Sequence, residues 1–252
     1  LFALFLIKEK KKYEIYFIGI LFILVDILIY ISGERASFFF LNLSTIFIII
    51  LIKEYQKFRL ITFLIALLLI LGLTLSSDTL YDRMIKEPAR SIGLAKEAQS
   101  KNIFTPVHDS LIKTAFNMFK DKPIFGHGPK MFRKICSNEK YITGIAPCDT
   151  HPHNFYVQLL AETGLIGFLF LFSSFCYVLY CGFMQLKSIL LKQKGFLTDY
   201  QVCLLSGILI TVWPFSPNGN FFHNWLIIVY SLPVGFYLQS IYSKKKSTKK
   251  NI

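Results

Sequence analysis

Apolar residues along the chain fall into blocks that approach the length of a membrane span and are separated by short polar connections. A helix needs about 20 predominantly apolar residues to cross a bilayer. Six blocks come close to that length: Ile15–Ile31, Ala36–Ile52, Leu60–Ser77, Phe155–Leu186, Tyr200–Pro214 and Trp225–Tyr242. The pattern predicts an all-α protein, a polytopic bundle of transmembrane helices.

The chain opens on a further apolar stretch, LFALFLI, which precedes the basic run KEKKK. A signal peptide has the opposite order, with basic residues ahead of the apolar core. We interpret this opening as the end of a truncated helix, and the chain as the C-terminal part of a longer protein.

The long connection between the third and fourth blocks also carries helical periodicity. Ser110–Lys122 has apolar residues at positions 111, 112, 115, 116 and 119, with Ser110 as a plausible N-cap and Pro123 as a stop. The stretch DTLYDRMIKEPARSIGLAKEAQS, residues 78–100, begins similarly and is interrupted by Pro88. We expect this connection to form a small helical cap rather than a flexible linker.

The distribution of charge sets the expected orientation. The net charge of +13 is compatible with nucleic-acid binding, but the basic residues are concentrated in four short segments, at residues 8–12, 53–59, 187–194 and 244–250. Short basic connections stay on the cytoplasmic side. If the chain changes side at each predicted span, all four basic segments lie on that side. The loops at 32–36, 76–154 and 216–220 then lie on the other side. We therefore expect a lipid bilayer and no nucleic acid as partner, and a disordered basic tail.

Two of the five cysteines, Cys136 and Cys148, lie in the long outer loop. An oxidising exterior permits a disulfide between them, although two thiols remain the alternative. In the entropy model, closing so short a loop stabilises the local fold by about 3 kcal/mol. Cys176, Cys181 and Cys203 lie in spans, where packing is their expected role.

Arg35 stands at the outer end of two spans that almost no loop separates. One interpretation is an interfacial arginine that is ion-paired with Glu34 and lays its aliphatic side-chain carbons along the membrane. The other is a phosphate ligand, because the planar guanidinium makes bidentate, charge-assisted hydrogen bonds. Asp26 lies nine residues earlier, about 13.5 Å along a helix. It is a functional candidate or a structural hydrogen-bonding group between helices.

The stretch DTHPHNFYVQLLAETGLIGFLFLF, residues 149–172, places polar residues at the mouth of the fourth block. Pro152 disfavours helix at the preceding residue, so the helix is expected to begin near Asn154, a favoured N-cap residue. His153 is then a general base or only a capping histidine. Glu162 lies in the first turns, where it either binds a basic group or histidine or is satisfied locally. Gly164 and Gly167 are interpreted as a close helix-packing pair.

The turn at residues 126–129, Gly-His-Gly-Pro, is a weak phosphate signal that we interpret mainly as a turn. The sequence contains no P-loop, and the histidines His108, His127, His151 and His153 match no standard metal-site spacing. We expect neither a metal nor a cofactor.

These residues resemble a known family. HNFYVQLLAETGLIG matches a signature of O-antigen ligases, with His153, Asn154, nine residues, Gly164 and Gly167. SGERASF resembles the arginine element on an outer loop of the same superfamily, and KDKPIFGHGPKMF the glycine element of its large periplasmic loop. The superfamily also includes O-antigen polymerases and oligosaccharyltransferases.

The resemblance implies a multi-pass glycosyltransferase of the GT-C type in the bacterial inner membrane, with its active site facing the periplasm. Its expected donor is an undecaprenyl-diphosphate-linked glycan, and its acceptor is lipid A-core or another glycan. We expect residues 1–75 to be transmembrane helices, of which the first is truncated. Residues 76–154 form the large periplasmic loop, 155–242 further transmembrane helices, and 243–252 a basic cytoplasmic tail.

The resemblance also assigns expected roles. His153 accepts the proton of the acceptor hydroxyl or positions that hydroxyl, and Asn154 orients the histidine or caps its helix. Arg35 binds the lipid diphosphate. The further substrate-binding candidates are Arg83, Arg90, Arg133 and Glu162, and spacing does not decide which arginine is the second phosphate ligand.

Three other functions stay open. A polymerase uses the same donor but extends another lipid-linked glycan. A transporter or exporter subunit would have charged residues lining several spans, whereas here only Asp26 and Glu162 lie inside them. A membrane scaffold with a binding cap would tolerate the loss of His153.

Overall fold

The computed structural model of the protein describes residues 12–91, 105–215 and 217–250, with the side chains of 13–90, 105–215 and 217–242. The regular elements in these ranges are helices, which confirms the prediction of an all-α protein. They are α1 Lys12–Ser32, α2 Arg35–Leu51, α3 Gln56–Ser76, α4 Asp78–Tyr81, a π-helical turn Asp82–Lys86, α5 Glu87–Ser91, α6 Pro106–Asp121, α7 Phe132–Ile135, α8 Phe155–Leu190, α9 Asp199–Thr211 and α10 Asn224–Lys250. The apolar opening and the second half of the helix expected over 78–100 lie outside the described residues.

Four helices in the described ranges are long and apolar enough to cross a membrane: Tyr13–Ser32, Gln56–Ser76, Phe155–Leu190 and Asn224–Tyr242. The apolar helices α2 and α9 have 17 and 13 residues, fewer than the roughly 20 that a span needs. Helix α9 stops shortly before Pro214, whose ring excludes helical backbone in the residue ahead of it.

The expectation of a disordered basic tail is wrong for residues 243–250, because α10 continues without interruption to Lys250. Extending an existing helix costs far less than starting one, and lysine is a good helix former.

The chain divides into two compact units. The second unit consists of Ile85–Cys176 and Val212–Val229, and the other described residues form the first. In the first unit, α1 packs against α2 and α3, and α2 packs against α9. The Tyr30 hydroxyl and Thr74 Oγ1 lie 2.6 Å apart and join α1 to α3.

Asp26 takes part in the interhelical hydrogen bond that was one of its two expected roles. Asn42 Nδ2 on α2 donates to Asp26 Oδ1 on α1 over 3.1 Å. Asp26 has no exposed surface, so its carboxyl group is closed off from direct contact with a substrate.

The C-terminal end of α2 is capped by side chains from other helices. Gln56 Nε2 donates to the Ile49 carbonyl over 2.8 Å, and Gln185 Nε2 to the Leu51 carbonyl over 3.2 Å. Arg59, which is only 1% exposed, donates to the Ile52 carbonyl over 2.7 Å. An unsatisfied carbonyl away from water costs several kcal/mol, so these bonds stabilise the end of α2.

The core of the second unit joins α6, α7, the loop that follows α7, and the first turns of α8. Its buried members are Leu111, Ala115, Met118, Phe132, Cys136, Tyr141 and Ala161. Cys136 and Cys148, the pair proposed from the sequence, form a disulfide with Cα atoms 5.3 Å apart. It links α7 to the segment that leads into α8.

Helix α6 begins earlier than the sequence predicts. Thr105 is its N-cap, with Thr105 Oγ1 accepting from the His108 N–H, and Pro106 is its first residue. The expected N-cap, Ser110, lies inside the helix, where its hydroxyl donates to the Pro106 carbonyl over 2.8 Å and accepts from the Ile145 N–H over 3.1 Å. Proline at the first helical position is favourable because a backbone N–H there would have no partner within the helix, so no hydrogen bond is lost.

Helix α8 is kinked at Gly164, which has φ +64° and ψ −158°. The backbone at residues 123–128 reaches the helix at this kink. The Leu165 N–H donates to the Pro123 carbonyl, and the N–H groups of His127 and Gly128 donate to the carbonyls of Ala161 and Glu162. The interpretation of Gly164 as a helix-packing glycine is therefore wrong. Gly164 leaves room for the loop at residues 123–128 to pack against α8.

Replacing Gly164 with alanine is expected to destabilise the second unit. The φ and ψ of Gly164 lie in a region that is essentially restricted to glycine, at a cost of about 1–3 kcal/mol for other residues. A Cβ would also overlap the Ile124 carbonyl. Thermal unfolding and hydrogen exchange across residues 123–132 measure the effect.

Gly72→Ala in α3 is the matched control, because a Cβ there meets nothing within 4 Å. Alanine is the better helix former, so this variant is expected to be neutral or slightly stabilised. Equal unfolding temperatures for the two variants would contradict the role assigned to the kink.

Candidate functional site

His153 occupies a strained position directly before α8. Its φ is +55°, a left-handed conformation that is uncommon for a residue other than glycine and is often found at functional sites. The His153 carbonyl accepts from the Asn218 N–H over 2.8 Å. Asn154 is the N-cap of α8, as predicted: Asn154 Oδ1 accepts from the Val157 N–H, and Asn154 Nδ2 donates to the Pro214 carbonyl. These bonds hold His153 in place.

The His153 ring is paired with a carboxylate that the sequence analysis did not identify. His153 Nε2 lies 2.9 Å from Asp149 Oδ2. A carboxylate accepts, so Nε2 carries the proton, and in the neutral ring Nδ1 keeps its lone pair. The hydrogen bonds from His153 and from the Thr150 N–H hold the pKa of Asp149 below its usual value. The side chain of His153 is 32% exposed, so a ligand has access to the ring.

Two further histidines lie against His153. The His151 ring centroid is 4.3 Å from that of His153, and the His108 centroid is 5.5 Å away. His151 Nε2 donates to the Asn218 carbonyl over 3.1 Å, so its Nδ1 accepts from the Thr150 hydroxyl over 2.9 Å. Burial, and then the nearby charge of His153, lower the pKa of both His108 and His151. Both rings therefore favour the neutral form.

These pKa shifts predict that lowering the pH reduces the stability of the second unit. In an unfolded chain a histidine titrates near 6.5, and the folded protein binds protons to His108 and His151 only at lower pH. The contribution of the neutral rings to stability is present above about 6.5 and is lost as the pH falls through the lower folded values. The protection factors of residues 149–158, which correct the exchange rates for their intrinsic pH dependence, should therefore fall between about pH 7 and pH 5.

The non-titrating variant His151→Gln should reduce that pH dependence. An unchanged pH dependence in this variant would contradict the contribution of His151.

Glu162 is fully buried, and its carboxylate is occupied by protein donors. The Phe132 N–H donates to Glu162 Oε1 over 2.8 Å, and Gln158 Nε2 to Glu162 Oε2 over 3.0 Å. The same Gln158 amide holds a second loop, through Asn220 Oδ1 over 2.8 Å and the Phe221 N–H over 2.9 Å. Glu162 was expected among the substrate-binding residues. The structure corrects this, because the carboxylate fixes backbone and does not reach the surface.

The loops that Glu162 and Gln158 fix line a cavity of about 460 Å³. Its lining combines positive charge, imidazole, amide, hydroxyl and aromatic groups: Lys130, Arg133, Thr150, His151, Asn220, Phe222, His223, Asn224 and Trp225. Among the arginines considered from the sequence, Arg133 contributes to this cavity. Of the other lining residues, the sequence analysis identified only His151 as a candidate. The lining comes from loops that are distant in the chain, and no local pattern reveals such a grouping.

The remaining predicted residues lie elsewhere. Arg35 is the first residue of α2 and is exposed. The guanidinium of Arg83 packs over Gly33, in the turn that precedes Arg35; a Cβ on Gly33 would overlap its Cζ and Nε atoms. Arg90 is exposed in α5, which belongs to the second unit. The structure thus brings Arg83 to the turn that precedes Arg35.

The Gly126–Pro129 segment is a turn, as interpreted, and its N–H groups at residues 127 and 128 are engaged by α8. His127 Nε2 donates to the Met118 carbonyl over 3.0 Å. Within the described ranges, no group of three or more His, Cys, Asp or Glu side chains is arranged to hold a metal ion.

The fold and these residues define a multi-pass helical membrane protein with a histidine-centred candidate site. A family model described as O-antigen ligase matches residues 18–172. This range is more than half of the 252 residues, and the chain belongs to the O-antigen ligase family. Membership implies a glycosyltransferase-like enzyme that acts on a lipid-linked glycan in a membrane. Comparison with curated proteins and with solved structures gives no match.

Proposed function

We propose that the protein transfers a glycan from undecaprenyl diphosphate to a hydroxyl of lipid A-core on the periplasmic face of the bacterial inner membrane. The observation that carries the proposal is the strained, Asp149-paired His153 at the start of α8, within the range that matches the O-antigen ligase family. Its lone pair at Nδ1 and its access to ligand are what a general base requires.

In the proposed reaction, the acceptor hydroxyl gives its proton to His153 Nδ1 while its oxygen attacks the anomeric carbon of the donor glycan. The bond between that carbon and the diphosphate oxygen breaks with inversion, and undecaprenyl diphosphate leaves with the electron pair. The proton on His153 passes to water. Asp149 favours the charged imidazolium that forms, because its carboxylate accepts from Nε2–H.

Positively charged side chains stabilise the negative charge that develops on the leaving diphosphate. For this role we propose Arg35, supported by Arg83, which packs over the Gly33 turn. Asn154 holds the helix start beside His153, and Glu162 acts only by positioning the loops that carry Lys130 and Arg133. Arg90 is a further candidate for binding the diphosphate.

Reconstitution with a defined donor and acceptor tests the proposal. The full-length protein in proteoliposomes is given an undecaprenyl-diphosphate glycan, with and without lipid A-core, and donor consumption and product are followed by mass spectrometry. Consumption that requires lipid A-core and gives the core-linked glycan supports a ligase. Longer lipid-linked glycans formed without core would show a polymerase instead. No consumption under any condition would refute both and leave the transporter and scaffold functions.

A further inference from the structure

The cavity of the second unit has a composition that selects for a negatively charged ligand. Lys130 and Arg133 supply two positive charges, and none of its lining residues, which all belong to the described chain, is acidic. Two carboxylates near the cavity are occupied by protein donors: Asp149 is bonded to His153, and the buried Glu162 accepts from the N–H groups of Lys130 and Phe132. The cations in the lining attract anions and hold them by charge-assisted hydrogen bonds.

The rest of the lining suits a sugar ring. Trp225 and Phe222 offer apolar aromatic faces, and Asn220 and Asn224 offer amides that both donate and accept, as adjacent hydroxyls require. Trp225 is 74% exposed, so its face is open to a ligand. The volume of about 460 Å³ is within the range of small-molecule sites.

The arrangement of the cavity is fixed before a ligand arrives. The backbone N–H groups of Lys130 and Phe132 both donate to the buried Glu162 carboxylate. Asn220 is held by Gln158, which is bonded to the same carboxylate. One buried side chain thus organises both walls, and a preformed site loses less entropy on binding.

The cavity is also next to the proposed base. His151 lines it, and the His151 ring centroid is 4.3 Å from that of His153. An acceptor whose hydroxyl reaches His153 therefore places its neighbouring groups at this cavity.

We propose, resting on the function proposed above, that this cavity binds an anionic sugar residue of the acceptor glycan, one that carries a phosphate or a carboxylate. Lys130 and Arg133 bind its charged group, Asn220 and Asn224 bind its hydroxyls, and Trp225 packs on its ring. The cavity thus selects charged acceptors over neutral ones.

Tryptophan fluorescence reports binding without any reaction. The chain has two tryptophans, so in a Trp213→Phe background Trp225 is the reporter inside the cavity. Four probes are titrated into the protein in nanodiscs: glucose 6-phosphate, glucuronate, glucose and inorganic pyrophosphate. We expect saturable responses to the two anionic sugars, with Kd values at least about tenfold below that of glucose. Both should also bind more tightly than pyrophosphate.

Lys130→Gln and Arg133→Gln are each expected to weaken anionic-sugar binding about tenfold. Lys134→Gln is the matched control, because Lys134 is exposed on the same short helix and does not line the cavity. Tighter binding of pyrophosphate than of the sugars would assign the cavity to the donor diphosphate and overturn the proposal. So would equal loss in Lys134→Gln, or the absence of a saturable response from a folded protein.

The transfer assay separates this inference from the proposed function. Arg133→Gln should raise the acceptor KM about tenfold with the donor KM unchanged. If transfer requires His153 but the acceptor KM does not move, the cavity assignment fails and the transferase stands. If Trp225 reports anionic-sugar binding but no transfer occurs, the cavity binds anionic sugars, but its assignment to the acceptor fails together with the transferase.

Discussion

Replacement of His153 with alanine is expected to lower glycan transfer by about a hundredfold to ten-thousandfold, the usual contribution of a general base. The expected loss lies in kcat, because the proton moves only as the acceptor oxygen attacks. Donor and acceptor KM should change little. Initial rates in proteoliposomes, at saturating donor and with varied acceptor, measure both parameters.

Because the backbone of His153 is left-handed, additional variants are needed to separate the loss of the imidazole from a change in backbone conformation. At φ +55°, alanine is strained and its loss of activity could come from a shifted helix start. Asparagine tolerates left-handed backbone better than most residues, and glycine adopts it without strain. If the imidazole is the base, His153→Asn and His153→Gly lose as much activity as His153→Ala. Recovery in the glycine variant would show instead that backbone geometry was the cause.

Asp149→Asn separates positioning from catalysis. The amide oxygen can still accept from Nε2–H and orient the ring, but it no longer favours the imidazolium, so the rate should fall less than in His153→Ala. In the double variant, loss of His153 should make the Asp149 change almost silent, because residues that act as a unit are not additive. Additive losses would contradict the pairing seen at 2.9 Å.

Sequence pattern was sufficient for features that depend on neighbouring residues. Apolar blocks of membrane length predicted α1, α3, α8 and α10, and Asn154 after a proline predicted the start of α8. The error at the start of α6 was avoidable, since the Thr105–Pro106 pair is itself a helix-start signal.

Features that depend on contacts between distant segments could not be predicted. Gly164 needs its conformation because residues 123–128 pack against it, and no local pattern reports that. The pairing of Asp149 with His153 depends on the turn between them rather than on helical spacing. Likewise, the sequence left Arg83, Arg90 and Arg133 as equivalent candidates for the second phosphate ligand. Only the folded chain shows that Arg83 packs over Gly33 and that Arg133 lines the cavity.

Replacement of Arg35 with alanine is expected to reduce transfer about a hundredfold to a thousandfold, the effect of removing one donor that stabilises transition-state charge. The leaving diphosphate gains charge as the glycosidic bond breaks, so the loss should appear mainly in kcat, with a smaller rise in the donor KM. Lysine at this position retains the charge but lacks the bidentate fork, and should restore only part of the rate.

Arg83→Ala should give a smaller loss in the same direction, because its guanidinium packs over Gly33 in the turn that precedes Arg35. Lys57→Gln, at the start of α3, removes one positive charge without touching that turn and serves as the control for net charge. Full activity of Arg35→Lys would indicate that charge alone suffices. Undiminished transfer by Arg35→Ala in normally inserted protein would instead favour the interfacial arginine, whose role is confined to anchoring α2 at the membrane surface.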